Sequence, residues 1–126
     1  MLAPVLLALT MASSITTFQT PSHGIACAYS TSPASLRCDV RDVADRPKRP
    51  KSCELDYGDA FGLDAQGRAR RLCVGDTVAD PKAKVIAYGT TQHHGPFTCT
   101  SRTTGLRCAT KAGHGFSLSR ETQKLF

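Results

Sequence analysis

Hydrophobic and polar positions alternate in short runs along the chain after residue 14, and no stretch keeps the period of an amphipathic helix. Gly, Pro, Ser and Thr interrupt these runs, as they do between the strands of small all-β domains. The runs predict strands at residues 15–19, 25–29, 36–40, 53–56, 70–74, 84–87, 97–100, 106–110 and 116–119. A further strand at residues 61–63 is predicted to enter a turn at residues 64–67.

The tail, residues 119–126, is the one later segment whose pattern favours a helix. It predicts a short helical turn with Ser119 as the N-cap. The whole pattern predicts an all-β, single-domain barrel or sandwich of about 8–10 short, mostly antiparallel strands. The 126 residues suffice for one such domain and exclude a large nucleotide-binding fold with a second domain.

The N-terminal segment is apolar and carries no charged side chain. Residues 2–9 form an apolar core that is too short to span a bilayer as a helix, and small residues follow it. A signal peptidase could cut after Ala12 or Ser14. We therefore expect a signal peptide at residues 1–14, an extracellular or envelope-associated domain at residues 15–126, and no transmembrane segment in the mature form. A plain hydrophobic N-terminal strand is the alternative.

In an exported protein, six cysteines in so short a chain indicate a disulfide framework. No Cys-x-x-Cys pair is present, which argues against a zinc ribbon or a thioredoxin-like redox site. Two pairs flank short polar loops, and the remaining pair flanks a Gly-rich stretch. The expected disulfides are therefore Cys27–Cys38, Cys99–Cys108 and Cys53–Cys73. In the chain-entropy model, loops of this size each contribute roughly 3 kcal/mol.

One pattern occurs twice. Ile25-Ala26-Cys27 leads through a polar turn to Leu36-Arg37-Cys38, and Phe97-Thr98-Cys99 leads through another to Leu106-Arg107-Cys108. Both segments predict a β-hairpin with a disulfide across its strands. Gene duplication and convergent hairpin chemistry explain the repeat equally well.

The charge is basic, with 16 Lys and Arg against 10 Asp and Glu, and all of it lies after residue 36. A Pro-rich cationic stretch within residues 41–51 predicts an exposed, extended crossover. Anionic envelope polymers are candidate partners, whereas nucleic acid is disfavoured because aromatic side chains are few and not interleaved with the cations. The candidate polyanion contacts are Arg46, Lys48, Arg49, Lys51, Arg68, Arg70 and Arg71. The alternative is a solubilising surface, partly neutralised by Asp39, Asp42, Asp45, Glu54, Asp56 and Asp59.

Several motifs resemble a family of small secreted actinobacterial domains that has no assigned function. They are Phe18-Gln19-Thr20-Pro21-Ser22-His23-Gly24-Ile25-Ala26-Cys27, Arg37-Cys38-Asp39, Arg49-Pro50-Lys51-Ser52-Cys53, Cys73-Val74-Gly75-Asp76-Thr77-Val78, Tyr88-Gly89-Thr90-Thr91, Gly95-Pro96-Phe97-Thr98-Cys99-Thr100-Ser101, Gly105-Leu106-Arg107-Cys108 and Gly113-His114-Gly115-Phe116-Ser117-Leu118-Ser119-Arg120. The resemblance spans residues 18–126. It implies location and architecture rather than chemistry.

Candidate catalytic chemistry is sparse. A small secreted nuclease-like hydrolase could use His94 and His114, with Asp76 and Arg120 completing a trial set. No nucleophile elbow and no metal-ligand spacing is present, so neither a metal nor a cofactor is expected. Residues 113–115 and 75–77 are better interpreted as turns, the second with Asp76 accepting from nearby backbone N–H groups.

The sequence therefore favours an exported, non-catalytic binding or structural module of the envelope or extracellular space, with its ligand unidentified. A small basic hydrolase and a cationic polyanion-binding domain are the alternatives.

Overall fold

A computed structural model describes residues 1–7 and 12–126 as two β-sheets that share one hydrophobic core. Eleven strands are present in these residues: β1 Ile15–Gln19, β2 Ile25–Thr31, β3 Ala34–Val40, β4 Asp56–Asp64, β5 Arg70–Val74, β6 Lys84–Val85, β7 Thr91–His94, β8 Phe97–Arg102, β9 Gly105–Thr110, β10 Gly115–Leu118 and β11 Gln123–Leu125. The all-β prediction is confirmed.

The connectivity is two successive meanders. The first sheet has the order β5-β4-β3-β2-β1-β6, in which β6 returns to pair in parallel with β1 and the other neighbours are antiparallel. The second sheet, β11-β10-β9-β8-β7, is antiparallel throughout. Short antiparallel connections suit the chain, because turn residues separate almost every run of alternating positions.

Contacts between aromatic side chains join the two sheets, and they pair strands that hold corresponding positions in the two sheet orders. Phe18 of β1 stacks on His94 of β7 with ring centroids 4.6 Å apart, and Phe61 of β4 lies 6.3 Å from Phe116 of β10. All three phenylalanines are 1% exposed or less. The core is therefore built from the inward positions of both sheets, although the chain has no Trp.

The disulfides are Cys27–Cys38, Cys53–Cys73 and Cys99–Cys108, the pairs that local spacing favours. The first joins β2 to β3 and the third joins β8 to β9, each between directly opposite residues at the centre of its sheet. Their four sulfur-bearing residues are fully buried. The repeated pattern thus forms two equivalent hairpins, one in each layer.

The predicted C-terminal helical turn is wrong. Ser119 instead closes a tight turn, in which its N–H donates to the Thr122 carbonyl and its Oγ accepts from the Thr122 N–H. The chain then continues as β11 along β10. Eight residues are too few for a stable isolated helix, whereas the free edge of β10 offers backbone partners to residues 123–126.

Strands β4 and β7 and residues 53–55 also differ from expectation. Residues 53–55 form no strand, because the Cys53–Cys73 disulfide and a turn closed by the Cys53 N–H to the Pro50 carbonyl hold them. Strand β4 begins only at Asp56 and absorbs the predicted strand at 61–63. Strand β7, which carries two adjacent histidines, has no alternation of apolar residues to indicate it.

Residues 1–7 adopt neither helix nor strand, and Leu2, Val5, Leu6 and Leu7 are largely exposed. The predicted signal peptide also includes residues 8–11, which lie outside the described residues. In the described part of the chain, no helix has the length and apolar character needed to cross a membrane.

Candidate functional site

Two motifs that lie far apart in the sequence meet on the outer face of the first sheet. Arg37 of β3 donates from Nε and Nη2 to the two carboxylate oxygens of Asp39, at 2.9 and 3.1 Å. It also donates to the carboxylate and the carbonyl of Asp76, both at 2.9 Å. The second Asp39 oxygen accepts from the Val78 N–H at 2.9 Å. This network fastens the loop after β5 across the face of the sheet.

Asp76 has a long-range partner that its local sequence does not indicate. Its carboxylate accepts from Arg37, 39 residues upstream. The hydrogen bond from Arg37 and the guanidinium charge lower the pKa of Asp76 below its ordinary value. Asp76 is therefore an anchor of the loop.

A cavity of about 730 Å³ lies between this loop and the sheet. Its floor includes Ala26 of β2 and Ala60 of β4, whose small side chains leave room above the backbone. Val74 at the end of β5, with Ala79 and Pro81 of the loop that follows, forms the opposite wall. We name this space the acidic cavity. Its volume lies within the range of small-molecule sites, about 300–1,000 Å³.

Carboxylates dominate the lining of the acidic cavity. Six of the ten acidic residues of the protein line it, against two arginines. The acidic residues are Asp39, Asp42, Asp56, Asp59, Asp76 and Asp80. Of these six, Asp39, Asp42, Asp56 and Asp59 were expected to neutralise the basic surface, and Asp76 was expected to make a local turn. The tertiary structure instead gathers them around one concavity, where Arg37 pairs with Asp39 and Asp76 and Arg46 pairs with Asp59, on a protein whose net charge is +6.

Asp59 is the carboxylate whose bonds are incomplete. Its Oδ2 pairs with Arg46 Nη2 at 2.9 Å, while its Oδ1 is buried and has no hydrogen-bond partner within the described residues. Burial raises the pKa of Asp59, and the charges of Asp56 and Asp39 act in the same direction against Arg46. A donor that reached Oδ1 would satisfy a buried acceptor, which otherwise costs free energy.

The backbone explains why Asp59 has this position. The register of β4 against β5 shifts between Tyr57 and Phe61, so Asp59 lies in a bulge, and bulges redirect side chains. Gly58 has φ of 101°, and a Cβ there would lie 2.9 Å from Pro47 Cδ. Glycine therefore lets the Pro-rich crossover approach β4 closely enough for Arg46 to reach Asp59.

Gln19 and His23 also line the acidic cavity. Gln19 is 4% exposed and donates from Nε2 to the Ala83 carbonyl at 2.9 Å. Its Oε1 lies 2.7 Å from His23 Nδ1. His23 adopts φ of 60° in the turn between β1 and β2, which turns its ring back towards Gln19.

The trial catalytic residues lie on separate elements. His94 stacks on Phe18, and its pKa is lowered by burial and by the charges of Lys84 and His93. His114 lies in the β9–β10 turn, where its carbonyl accepts from the Thr110 N–H, and Arg120 donates to the Asp42 carbonyl. Within the described residues, no hydrogen bond joins any two of His94, His114, Asp76 and Arg120.

Three of the seven cations proposed to contact a polyanion are already engaged by other groups of the protein. Arg46 pairs with Asp59, and Arg70 pairs with Asp64 at 2.8 Å. The Arg71 guanidinium lies 5.7 Å from the centre of the Phe61 ring and donates to the Gln123 carbonyl. Lys48, Arg49, Lys51 and Arg68 remain exposed.

A metal is not suggested by the carboxylates of the acidic cavity. In residues 1–7 and 12–126, no group of three or more His, Cys, Asp or Glu side chains is arranged to hold a metal ion.

The fold and the site define a disulfide-stapled all-β domain with a ligand-sized acidic cavity. The chain belongs to the DUF6636 family, described as a family of unknown function, whose model matches residues 2–126. No curated protein and no solved structure matches the chain.

Proposed function

We propose that this domain is an exported, non-catalytic binding module that takes a cationic, amine-bearing group in the acidic cavity. The observation that carries the proposal is that Asp59, whose buried Oδ1 has no hydrogen-bond partner among the described residues, lines a cavity where carboxylates outnumber arginines. An ammonium group supplies both the missing donor and the opposite charge. The apolar floor suits the aliphatic carbon atoms next to such a group.

Export is supported by the disulfides and by the N-terminal segment. All six cysteines are paired, as is typical of proteins in oxidising compartments. The apolar side chains at residues 2–7 are exposed and contribute nothing to the core. A removable signal peptide accounts for both facts. We also infer that the two layers form a sandwich, since each sheet keeps two separate edges.

The absence of catalysis is supported by the arrangement of the histidines. Neither His94 nor His114 lines the acidic cavity. His94 packs as part of the aromatic contact between the sheets, which is a structural role. Polyanion binding is less well supported than cation binding, because three of the seven cations proposed for it are engaged by carboxylates or by an aromatic ring.

A titration followed by NMR tests this function. The oxidised, isotope-labelled protein is titrated with a linear alkyl diamine, and with a dicarboxylate of equal length as the control ligand. We expect amide shifts on the elements around the acidic cavity with the diamine alone. Asp59→Asn should weaken diamine binding about tenfold, because a hydrogen bond to a charged group contributes roughly 1.5–3 kcal/mol and this site is partly exposed.

Asp64→Asn is the matched control, since Asp64 also lies on β4 and pairs with an arginine, but outside the acidic cavity. It should leave diamine binding unchanged. Because the pKa of Asp59 is raised, diamine affinity should already fall on acidification above the ordinary aspartate value of 3.8. Diamine binding that survives Asp59→Asn at full strength refutes the proposal.

A further inference from the structure

A second concavity, of about 470 Å³, adjoins the acidic cavity and has the opposite character. Three arginines line it: Arg41 after β3, Arg102 at the end of β8, and Arg120 in the β10–β11 turn. Asp42 and Glu121 are the carboxylates in its lining. We name this space the arginine depression.

The guanidinium groups of the arginine depression keep donors free. The Arg102 side chain makes no hydrogen bond or ion pair with any described residue, although the residue itself pairs with Gly105 in the ladder between β8 and β9. Arg120 uses Nε alone, donating to the Asp42 carbonyl at 3.0 Å. The Arg41 side chain is 73% exposed and forms an ion pair with Asp42, whose carboxylate lies 3.8 Å from Nε, beyond hydrogen-bond distance. Planar guanidinium groups match the oxygen pairs of carboxylates and phosphates, so this lining fits an oxyanion.

The two concavities share a wall. Gly24, Arg41 and Asp42 line both of them. The backbone of this wall is fixed, since the Arg41 N–H donates to the Gly24 carbonyl at 2.8 Å and the Ala44 N–H donates to the Arg120 carbonyl at 3.0 Å. Asp42 adopts φ of 55° at the crest. The surface is therefore one groove with an electronegative half and an electropositive half.

We propose that one ligand spans this groove, with its amine in the acidic cavity and an oxyanion, carboxylate or phosphate, in the arginine depression. This inference rests on the proposed function, because it takes the acidic cavity as the amine site. The ligand class is a linear zwitterion whose charges are separated, such as a short peptide with free ends. Such a ligand satisfies both halves, whereas a purely cationic or purely anionic ligand meets repulsion in one of them.

The test uses oligo-alanine peptides of increasing length, each with free ends, with a C-terminal amide, with an N-acetyl group, or with an aminoethyl phosphate in place of the carboxylate. Affinities are measured by NMR titration of the oxidised full-length protein. We expect the free-ended peptides to bind about two- to fivefold more tightly than the amides, as for an exposed ion pair. This advantage should appear only above the length that reaches both halves.

Arg102→Gln is the diagnostic variant, because the side chain is exposed and its loss disturbs no internal contact. It should bring the free-ended peptide to the affinity of the amide and leave the amide unchanged. Arg68→Gln removes the same charge outside both concavities and should change neither affinity. The phosphate-ended peptide shows which oxyanion the arginine depression prefers, and an advantage for either one supports the proposal.

Two outcomes overturn this inference in different ways. Equal binding of free-ended and amidated peptides, with binding still lost on N-acetylation and in Asp59→Asn, removes the zwitterionic ligand and leaves the proposed amine site intact. Undiminished binding of the N-acetyl peptides removes the amine site and the zwitterionic ligand together.

Discussion

Arg37→Gln is the substitution that most directly tests how the acidic cavity is built. Arg37 donates four hydrogen bonds, two to Asp39 and two to Asp76, and these fasten the loop after β5 to the sheet. Glutamine is too short to reach both aspartates. The variant should therefore release the loop while leaving the core and the disulfides in place.

The expected loss of stability follows from the burial of the Arg37 and Asp39 side chains. The Arg37 and Asp39 side chains are only 19% and 13% exposed, so their bidentate pair lies between a surface ion pair, worth about 0–1 kcal/mol, and a buried pair whose disruption costs about 3–5 kcal/mol. Asp39 keeps the Val78 N–H as a partner, which softens the loss. Asp76 is largely exposed and adds little. We expect Arg37→Gln to lower the free energy of unfolding by about 2 kcal/mol.

Urea unfolding of the oxidised protein measures this loss, with Arg70→Gln as the control. Arg70 pairs with Asp64 at 2.8 Å, as short as any Arg37 contact, but the two side chains are 58% and 46% exposed. The control should therefore lose about 0.5 kcal/mol or less. In Arg37→Gln, the pKa of Asp76 should also return towards its ordinary value in an NMR titration. Equal losses of stability in the two variants would refute the reasoning from burial.

Two further predictions concern the disulfides and His94. Removing Cys99–Cys108 with alanines should destabilise the domain more than removing Cys53–Cys73 with serines, although the sequence separations are 9 and 20, because Cys99 and Cys108 are fully buried whereas Cys73 is exposed. A larger loss from the longer loop in urea unfolding would contradict this. The lowered pKa of His94 means that the unfolded chain takes up its proton first, so stability should fall as pH drops below the ordinary value of 6.5. His94→Phe keeps the stack on Phe18 and should flatten that pH dependence; an unchanged slope would show that other groups cause it.

The local pattern of apolar and polar residues was sufficient to predict the strands in which apolar residues alternate. Strands β1 and β5 have the predicted bounds, β2, β3, β6, β8 and β9 differ by one or two residues at one end, and β10 differs by one residue at each end. The failures occur where tertiary contacts override pattern. Strand β7 owes its pairing to β8 and to the burial of His94 against Phe18, and β11 owes its pairing to the edge of β10. Neither partner is visible in the local sequence.

The candidate site shows the same division. Arg37, Asp39 and Asp76 belong to motifs that the sequence singles out, but nothing in their spacing indicates that one arginine joins both aspartates. Asp59 carries no motif at all. A Gly at position 58, between the strands predicted at residues 53–56 and 61–63, is the one local signal of the bulge that directs Asp59 into the acidic cavity.

The sequence by itself determined the all-β class and the two disulfide-pinned hairpins, because strand alternation, turn residues and short cysteine spacings act over about ten residues. The tertiary structure alone decided where the charges meet. A crossover, a bulge and a loop bring six aspartates to one face and three arginines to its neighbour. Electrostatic character depends on distances in space rather than along the chain, so a net charge of +6 could not reveal an acidic cavity beside a basic one.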